Sequence, residues 1–98
     1  MKFRFHDRSL KRTYEEADFY HGRDKAIVKV FRRRIQMISA ATDERDFRAL
    51  KSLHFEKLKG DRSHQHSMML NDQWRLILEF EGSSSEKMVV VMGIEDYH

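Results

Sequence analysis

The chain of 98 residues contains no cysteine and no hydrophobic run long enough to cross a membrane. Without cysteine, it can form neither a disulfide framework nor a thiolate metal site. No apolar segment typical of a signal peptide follows Met1, and a membrane-spanning helix would need about 20 consecutive apolar residues. These absences predict a protein of the reducing cytoplasm that has no membrane partner.

The sequence is instead rich in charge, with 36% charged residues beside 40% hydrophobic ones. This composition and the length predict one small globular domain over residues 1–98. The net charge is only +3, but the basic residues are clustered. The clusters are Lys2, Arg4, Arg8, Lys11 and Arg12, then Arg32–Arg34, then Lys57, Lys59 and Arg62. Such clusters suit a nucleic-acid backbone, although charge runs also occur on ordinary solvated surfaces.

Hydrophobic periodicity predicts one strand and two helices in the first half of the chain. Residues 1–6 alternate apolar and polar, as expected for a strand with one buried face. A helix is predicted over 10–19, with Ser9 as a candidate N-cap. A stronger helix is predicted over 25–41, where Asp24 is the candidate N-cap and the apolar residues recur at helical spacing.

The second half of the chain predicts strands. After a polar connector or short helix at 43–50, strand patterns run at 55–59, 67–70, 74–80 and 88–94. The last of these is apolar on both faces, so it is expected inside the sheet. Helices followed by strands predict an α+β fold.

Alternation in the strand at 74–80 sorts its side chains onto two faces. One set, assigned to the helix-covered core, is Trp74, Leu76, Leu78 and Phe80. The other set, assigned to a cleft, is Arg75, Ile77 and Glu79. From the residues alone, Arg75 is either a cleft residue or a surface residue paired with Glu79.

Four short motifs follow one another along the chain: LKGDR at 58–62, QHS at 65–67, NDQWR at 71–75 and EDYH at 95–98. In this order and ending at the last residue, they resemble the HigB branch of the RelE/ParE toxin superfamily. The resemblance covers almost the whole chain. It implies a RelE-like twisted, mainly antiparallel sheet with two N-terminal helices packed on one face.

The terminal residues suit metal-free RNA cleavage, in which the 2′-hydroxyl attacks the adjacent phosphorus. His98 can exchange a proton near neutral pH, Asp96 can orient it or act as a base, and Tyr97 can stack on a base or donate a hydrogen bond. The resemblance implies catalytic roles for these three residues, and it implies that Lys59 and Arg75 act at the phosphate. Lys57 and Arg62 are further candidates for RNA binding.

The chain departs from the family at one position. Many members carry His three residues before the lysine that corresponds to Lys59, whereas this chain has Glu56 there. Some members also have Glu, so Glu56 is the first candidate for that catalytic position. His54 is the second candidate and is otherwise expected to bind RNA.

The resemblance implies the toxin of a type II toxin–antitoxin pair, acting as a ribosome-dependent mRNA endonuclease. Its partners would be the ribosome, mRNA and a HigA-type helix-turn-helix antitoxin. The alternatives are a ParE-like toxin acting on DNA gyrase and a non-catalytic RNA-binding module. No cofactor is expected, and no metal site either, since His64 and His66 lack a third ligand at a suitable spacing.

Overall fold

The computed structural model describes residues 1–83 and 86–97. A strand and two helices come first: β1 (Lys2–Phe5), α1 (Arg8–Glu15) and α2 (Lys25–Ala40). A short helix, α3 (Arg45–Ala49), leads to the remaining strands. These are β2 (Glu56–Lys57), β3 (Gln65–Met69), β4 (Trp74–Glu81) and β5 (Met88–Asp96). Short 3-10 turns lie at Lys51–Leu53 and Gly60–Arg62. None of the helices in the described part of the chain is long and apolar enough to span a membrane.

The five strands form one sheet in the order β1-β5-β4-β3-β2. Only β1 and β5 pair in parallel, which requires a long connection, and nearly the whole chain lies between these two strands in sequence. The other three pairings are antiparallel. The predicted α+β fold with a mainly antiparallel sheet is therefore confirmed, and β5 is an interior strand as expected.

A one-residue bulge interrupts the pairing of β4 with β5. Ile77 lies opposite Gly93, and its neighbour Leu78 lies opposite Val91, so Met92 has no residue opposite it. Because the side chains of a strand alternate between faces, the extra residue reverses the alternation of β5 beyond this point. Val89, Val91 and Ile94 consequently all reach the core.

All three helices pack on the same side of the sheet, called here the covered face. From β4 it receives Leu76 and Leu78, which are fully buried, and also Trp74 and Phe80, which are partly buried. The face assignment made from alternation is therefore correct, although Trp74 stays partly exposed. The helices contribute mainly Leu10, Ile27, Phe31, Ile35, Ile38 and Phe47. The opposite side, called here the open face, carries Arg75, Ile77 and Glu79.

Both long helices begin at aspartate N-caps. Asp24 accepts a hydrogen bond from the backbone N–H of Ala26 at 2.7 Å, as predicted. For α1 the predicted cap Ser9 is wrong. The helix starts at Arg8, two residues earlier than predicted, and Asp7 accepts from the N–H of Leu10 at 2.9 Å. Ser9 lies inside the helix and donates its hydroxyl to Asp7.

The first helix is shorter than its sequence pattern predicts. It ends at Glu15, where a side chain binds carbonyls of the last turn and of the segment that follows. The Arg32 guanidinium donates to the carbonyls of Thr13 and Glu16, both at 2.9 Å, and to that of Ala17 at 3.2 Å. This one side chain therefore fixes the segment between α1 and α2.

Candidate active site

The candidate active site lies on the open face, where the ends of β3 and β5 flank the start of β4. Arg75 is the second residue of β4, and alternation directs its side chain away from the helices. The side chain is nonetheless buried, with only 5% of its surface exposed. A buried arginine keeps its charge, so every donor that is not satisfied internally favours an anionic partner.

Two partners hold the Arg75 guanidinium in place. Its Nε donates to Ser67 Oγ at 2.8 Å, and its Nη2 donates to the carbonyl oxygen of His54. The Tyr97 ring lies 4.8 Å from Cζ and is mostly exposed, at 57%. Among the described residues Nη1 has no acceptor. The arrangement thus presents a fixed cation beside an aromatic ring that is open to solvent.

A cavity of about 170 Å³ opens beside Arg75. Its apolar lining residues are Leu58 and Ile77, of which Ile77 is only 3% exposed. The polar lining residues are Arg62, Ser67, Arg75, Glu95, Asp96 and Tyr97. These groups are contributed by three strands and by the 60–62 turn, so residues far apart in sequence meet in one place.

The larger groove of the molecule, about 760 Å³, lies elsewhere, over β1 and α1. It also contains basic residues, but two of them are already neutralised. Arg4 pairs with Glu81, and Arg12 pairs with Glu16 at 2.8 Å. The smaller cavity is the better candidate site, because its buried arginine has no carboxylate partner among the described residues.

An ion pair ties the 60–62 turn to β5. The Arg62 guanidinium binds both oxygens of Glu95, at 2.9 and 2.7 Å, and its Nε donates to Gln65 at 2.9 Å. The hydrogen bond with Glu95 raises the pKa of Arg62. These contacts neutralise the Glu95 carboxylate, which would otherwise repel a phosphate bound near Arg75.

Strand pairing places two of the other predicted residues on opposite faces of the sheet. Glu56 lies opposite Ser67 in the β2–β3 ladder, so it shares the open face with Arg75. Its neighbour Lys57 lies opposite His66, at the edge of the covered face. Both side chains are exposed.

Among the remaining predicted residues that the structure describes, Asp96 and Tyr97 line the cavity, whereas Lys59 and His54 do not. Lys59 is exposed and directly precedes the 60–62 turn. His54 is exposed, in a left-handed conformation with φ of 46°, and contributes its carbonyl oxygen. Asp96 accepts from Gln73 Nε2 at 3.1 Å, and the N–H of Tyr97 donates to the Gln73 carbonyl at 2.6 Å, which fastens the tail. His98 lies outside the described residues.

Two residues of the site were not found from sequence. Ser67 anchors Arg75, and its position in the QHS motif was the available signal. Glu95 holds Arg62, and its place in the terminal motif offered a similar signal. Residues 1–83 and 86–97 bring no three His, Asp or Glu side chains together in a way that could hold a metal ion.

The architecture corresponds to that of a known class of toxins. The fold matches the YoeB/ParE toxin from Agrobacterium tumefaciens with a TM-score of 0.60 and 22% identity, covering 100% of both chains. The molecule thus has the same fold as that toxin. The model of the HigB-like toxin family, described as RelE-like toxins of the type II toxin–antitoxin system HigB, matches residues 3–98. The chain belongs to this family.

A relative from Haemophilus influenzae, itself without an assigned function, is also similar in sequence. It is 30% identical over 79 residues, which cover 81% of this chain and 78% of the relative. The family membership shows a toxin, and a type II toxin implies an antitoxin as its partner.

Proposed function

We propose that this toxin is a ribosome-dependent mRNA endonuclease that inhibits translation by acid–base cleavage without a metal. The observation that carries the proposal is the buried Arg75 guanidinium. It is fixed by Ser67 and the His54 carbonyl, lies beside Tyr97 and opens onto a cavity on the open face. A rigid cation next to an exposed ring suits a phosphate and the base attached to its nucleotide.

In the proposed reaction the RNA 2′-oxygen attacks the adjacent phosphorus and the 5′-oxygen leaves. Arg75 and Lys59 stabilise the negative charge that builds up on the phosphoryl oxygens. Glu56 is on the same face as Arg75 and accepts the proton of the 2′-hydroxyl. His98, assisted by Asp96, protonates the leaving oxygen, while Tyr97 stacks on a base.

The binding partners follow from the same proposal. The message lies across the open face, where Lys59 and His54 contact its backbone. Lys57 contributes from the far edge of β2, while Arg62 acts mainly by holding Glu95. A HigA-type antitoxin, a helix-turn-helix protein, silences the toxin in the cytoplasm.

The test is growth arrest together with cleavage of a ribosome-bound message by purified variants. Loss of a proton-transfer group typically costs about 10²–10⁴-fold in rate, so we expect His98→Ala and Glu56→Ala each to fall in that range. Lys51→Ala removes an exposed cation away from the cavity and should cut as fast as the wild type.

Each proposed role can fail separately. If His98→Ala retains full activity, the terminal acid is wrongly assigned. If Glu56→Ala does so, His54→Ala becomes the variant to measure. A wild-type protein that arrests growth without cutting any message, and that inhibits DNA supercoiling instead, would replace the nuclease with a gyrase-directed toxin.

A further inference from the structure

The excess positive charge of the chain is concentrated on α2. This helix carries Lys25, Lys29 and Arg32–Arg34, and it contains no Asp or Glu. The whole chain has 19 Lys and Arg against 16 Asp and Glu, so outside α2 there are 14 cations against 16 carboxylates. The net charge of +3 therefore exists only because of this helix.

Two of these five charges serve the fold. Arg32 binds carbonyls at the end of α1 and just after it, as described above. Arg34 donates to the carbonyl of Met69 at 3.3 Å, at the end of β3. Both side chains are partly buried. Their positions are explained by contacts within the molecule.

The other three cations, Lys25, Lys29 and Arg33, form a line on the solvent side of α2, called here the α2 row. All three are exposed. They follow one another at i, i+4 and i+8, so each step rises by about 6 Å and turns by about 40°. Within the described part of the chain none of them has a carboxylate partner, and Lys25 Nζ lies 5.3 Å from the Tyr20 ring.

This row works against the stability of the helix. Like charges at i and i+4 repel each other, and the row contains two such pairs. Burial, together with the nearby charge of Arg33, lowers the pKa of Arg34. A surface that keeps such unfavourable charge repulsion is commonly a surface that binds a ligand or partner.

The composition of the surface favours RNA over a protein as the occupant. Besides the row, the exposed positions of α2 are Ala26, Gln36, Ser39 and Ala40. None is a large apolar or aromatic residue, which the centre of a protein–protein interface normally contains. Lys, Arg, Gln and Ser are instead the side chains that commonly contact phosphate oxygens.

The position of the row separates it from the candidate active site. Since α2 packs on the covered face, its solvent side points away from the cavity at Arg75. A short single strand held at Arg75 would not reach it. We propose that the α2 row binds the phosphate backbone of a double-helical RNA element while the open face takes a single strand. The proposal rests on the proposed function only in taking RNA as the partner.

The test measures binding of a short RNA duplex, 2′-O-methylated so that it cannot be cleaved, as a function of salt. The variant is Lys25→Gln, Lys29→Gln and Arg33→Gln together, because Gln keeps a good helix propensity. Each lost phosphate contact should reduce the slope of log affinity against log salt by about 1, hence by about 3 in total. At low salt we expect duplex binding to weaken about tenfold or more.

The matched control is Arg45→Gln, Arg48→Gln and Lys51→Gln together, which removes the same charge from exposed sites outside α2 and outside the basic clusters. It should keep most of the affinity and slope. Wild-type binding by the α2 variant, or an equal loss in the control, would overturn the proposal. Loss of affinity for the antitoxin alone would assign the row to a protein.

The cleavage proposal is judged by a different variant. Arg75→Ala should still bind the duplex, because the row lies on the other side of the molecule. A wild-type protein that binds the duplex through α2 but cuts no message would therefore disprove only the nuclease.

Discussion

The two faces of the sheet are both apolar at their centres, yet only one of them is covered by helices. On the covered face, Leu76 and Leu78 meet the side chains of all three helices. On the open face, Ile77 and Val90 are also nearly buried, at 3% and 2% exposure, but a ring of polar groups surrounds them. The comparison indicates that the covered face supplies most of the stability, whereas the open face supplies a rigid floor for charged groups. Four predictions, from the largest effect to the smallest, test this division.

The largest effect on stability is expected on the covered face. Phe31 is fully buried on α2 and packs against Phe5, with ring centres 6.4 Å apart. Phe31→Ala should lower the free energy of unfolding by about 3–5 kcal/mol, a large part of what a small domain has. The measurement is urea unfolding. Trp74→Ala should cost less, because Trp74 is only partly buried.

The largest effect on activity is expected on the open face. Removing a donor to the transition state costs about 10²–10³-fold in rate, so Arg75→Ala should fall in that range in the cleavage assay. Unlike an exposed arginine, Arg75 also holds Ser67 and the His54 carbonyl. We therefore expect a stability loss of about 1–3 kcal/mol as well. Activity is compared per folded molecule.

Ser67→Ala separates these two consequences. It removes the partner of Arg75 Nε but keeps the guanidinium, so it should cost stability with a smaller loss of rate. If Ser67→Ala and Arg75→Ala lose activity equally, the role of Arg75 is to hold the fold together, and the functional distinction between the two faces disappears.

A third prediction concerns a polar group on the covered face. His66 stacks on Phe55 with ring centres 5.0 Å apart and meets the edge of Phe80 at 5.1 Å. Its Nδ1 is buried and has no hydrogen bond within the described part of the chain. Burial lowers the pKa of His66, and the charged groups that act on it are Glu44, Arg48, Lys57 and Lys87. The folded protein therefore favours the neutral form of the His66 imidazole.

Because the unfolded chain binds this proton more readily, stability should be full above about pH 6.5 and should fall as the pH drops towards the lowered folded value. His66→Phe should remove this part of the pH dependence and should stabilise the protein by about 1 kcal/mol. Unfolding midpoints measured across this pH range, for both proteins, provide the check. An unchanged slope in His66→Phe would assign the acid sensitivity to another group.

The smallest effect is expected from the ion pair that fastens the 60–62 turn. Arg62 and Glu95 are both about half exposed, so the pair should contribute only about 0.2–1 kcal/mol to stability. Its effect on the proposed cleavage should be larger, since Arg62→Ala leaves the Glu95 carboxylate without its partner beside the proposed phosphate site. Arg62→Ala combined with Glu95→Gln should recover activity. A double variant no better than Arg62→Ala would show that Arg62 contacts RNA directly.

Alternation and periodicity predicted the fold because they report which side chains are buried. The β4 pattern placed Trp74 and Arg75 on opposite faces, and the α2 pattern identified the core residues of that helix. What could not be predicted depends on groups distant in sequence. For α1 the distant group is Arg32, which binds carbonyls of the last turn and of the segment after it. The N-cap was missed for a local reason, since Asp7 starts the helix two residues before the predicted first residue.

The motifs pointed to the residues of the candidate site but not to its geometry. The motifs named Arg75, Asp96 and Tyr97, and the structure places all three beside one cavity. The anchoring of Arg75 by a backbone carbonyl from residue 54 has no sequence signature, because any residue has a carbonyl. The separation of Glu56 from Lys57 depends on the register of β2, which a two-residue strand does not reveal.

Because of the bulge at Met92, the direction of the last side chains depends on the number of residues in β5 and not on which residue occupies position 92. Glu95 lies opposite Arg75, and Tyr97 reaches the same guanidinium, only because one unpaired residue precedes them. Deleting that residue would turn Glu95 and Tyr97 towards the helices and would turn Ile94 outward. Substitutions at position 92 keep this phase, whereas insertions or deletions of one residue reverse it. Related sequences should therefore differ by substitutions in this strand, while the number of residues between the bulge and the terminal motif stays the same.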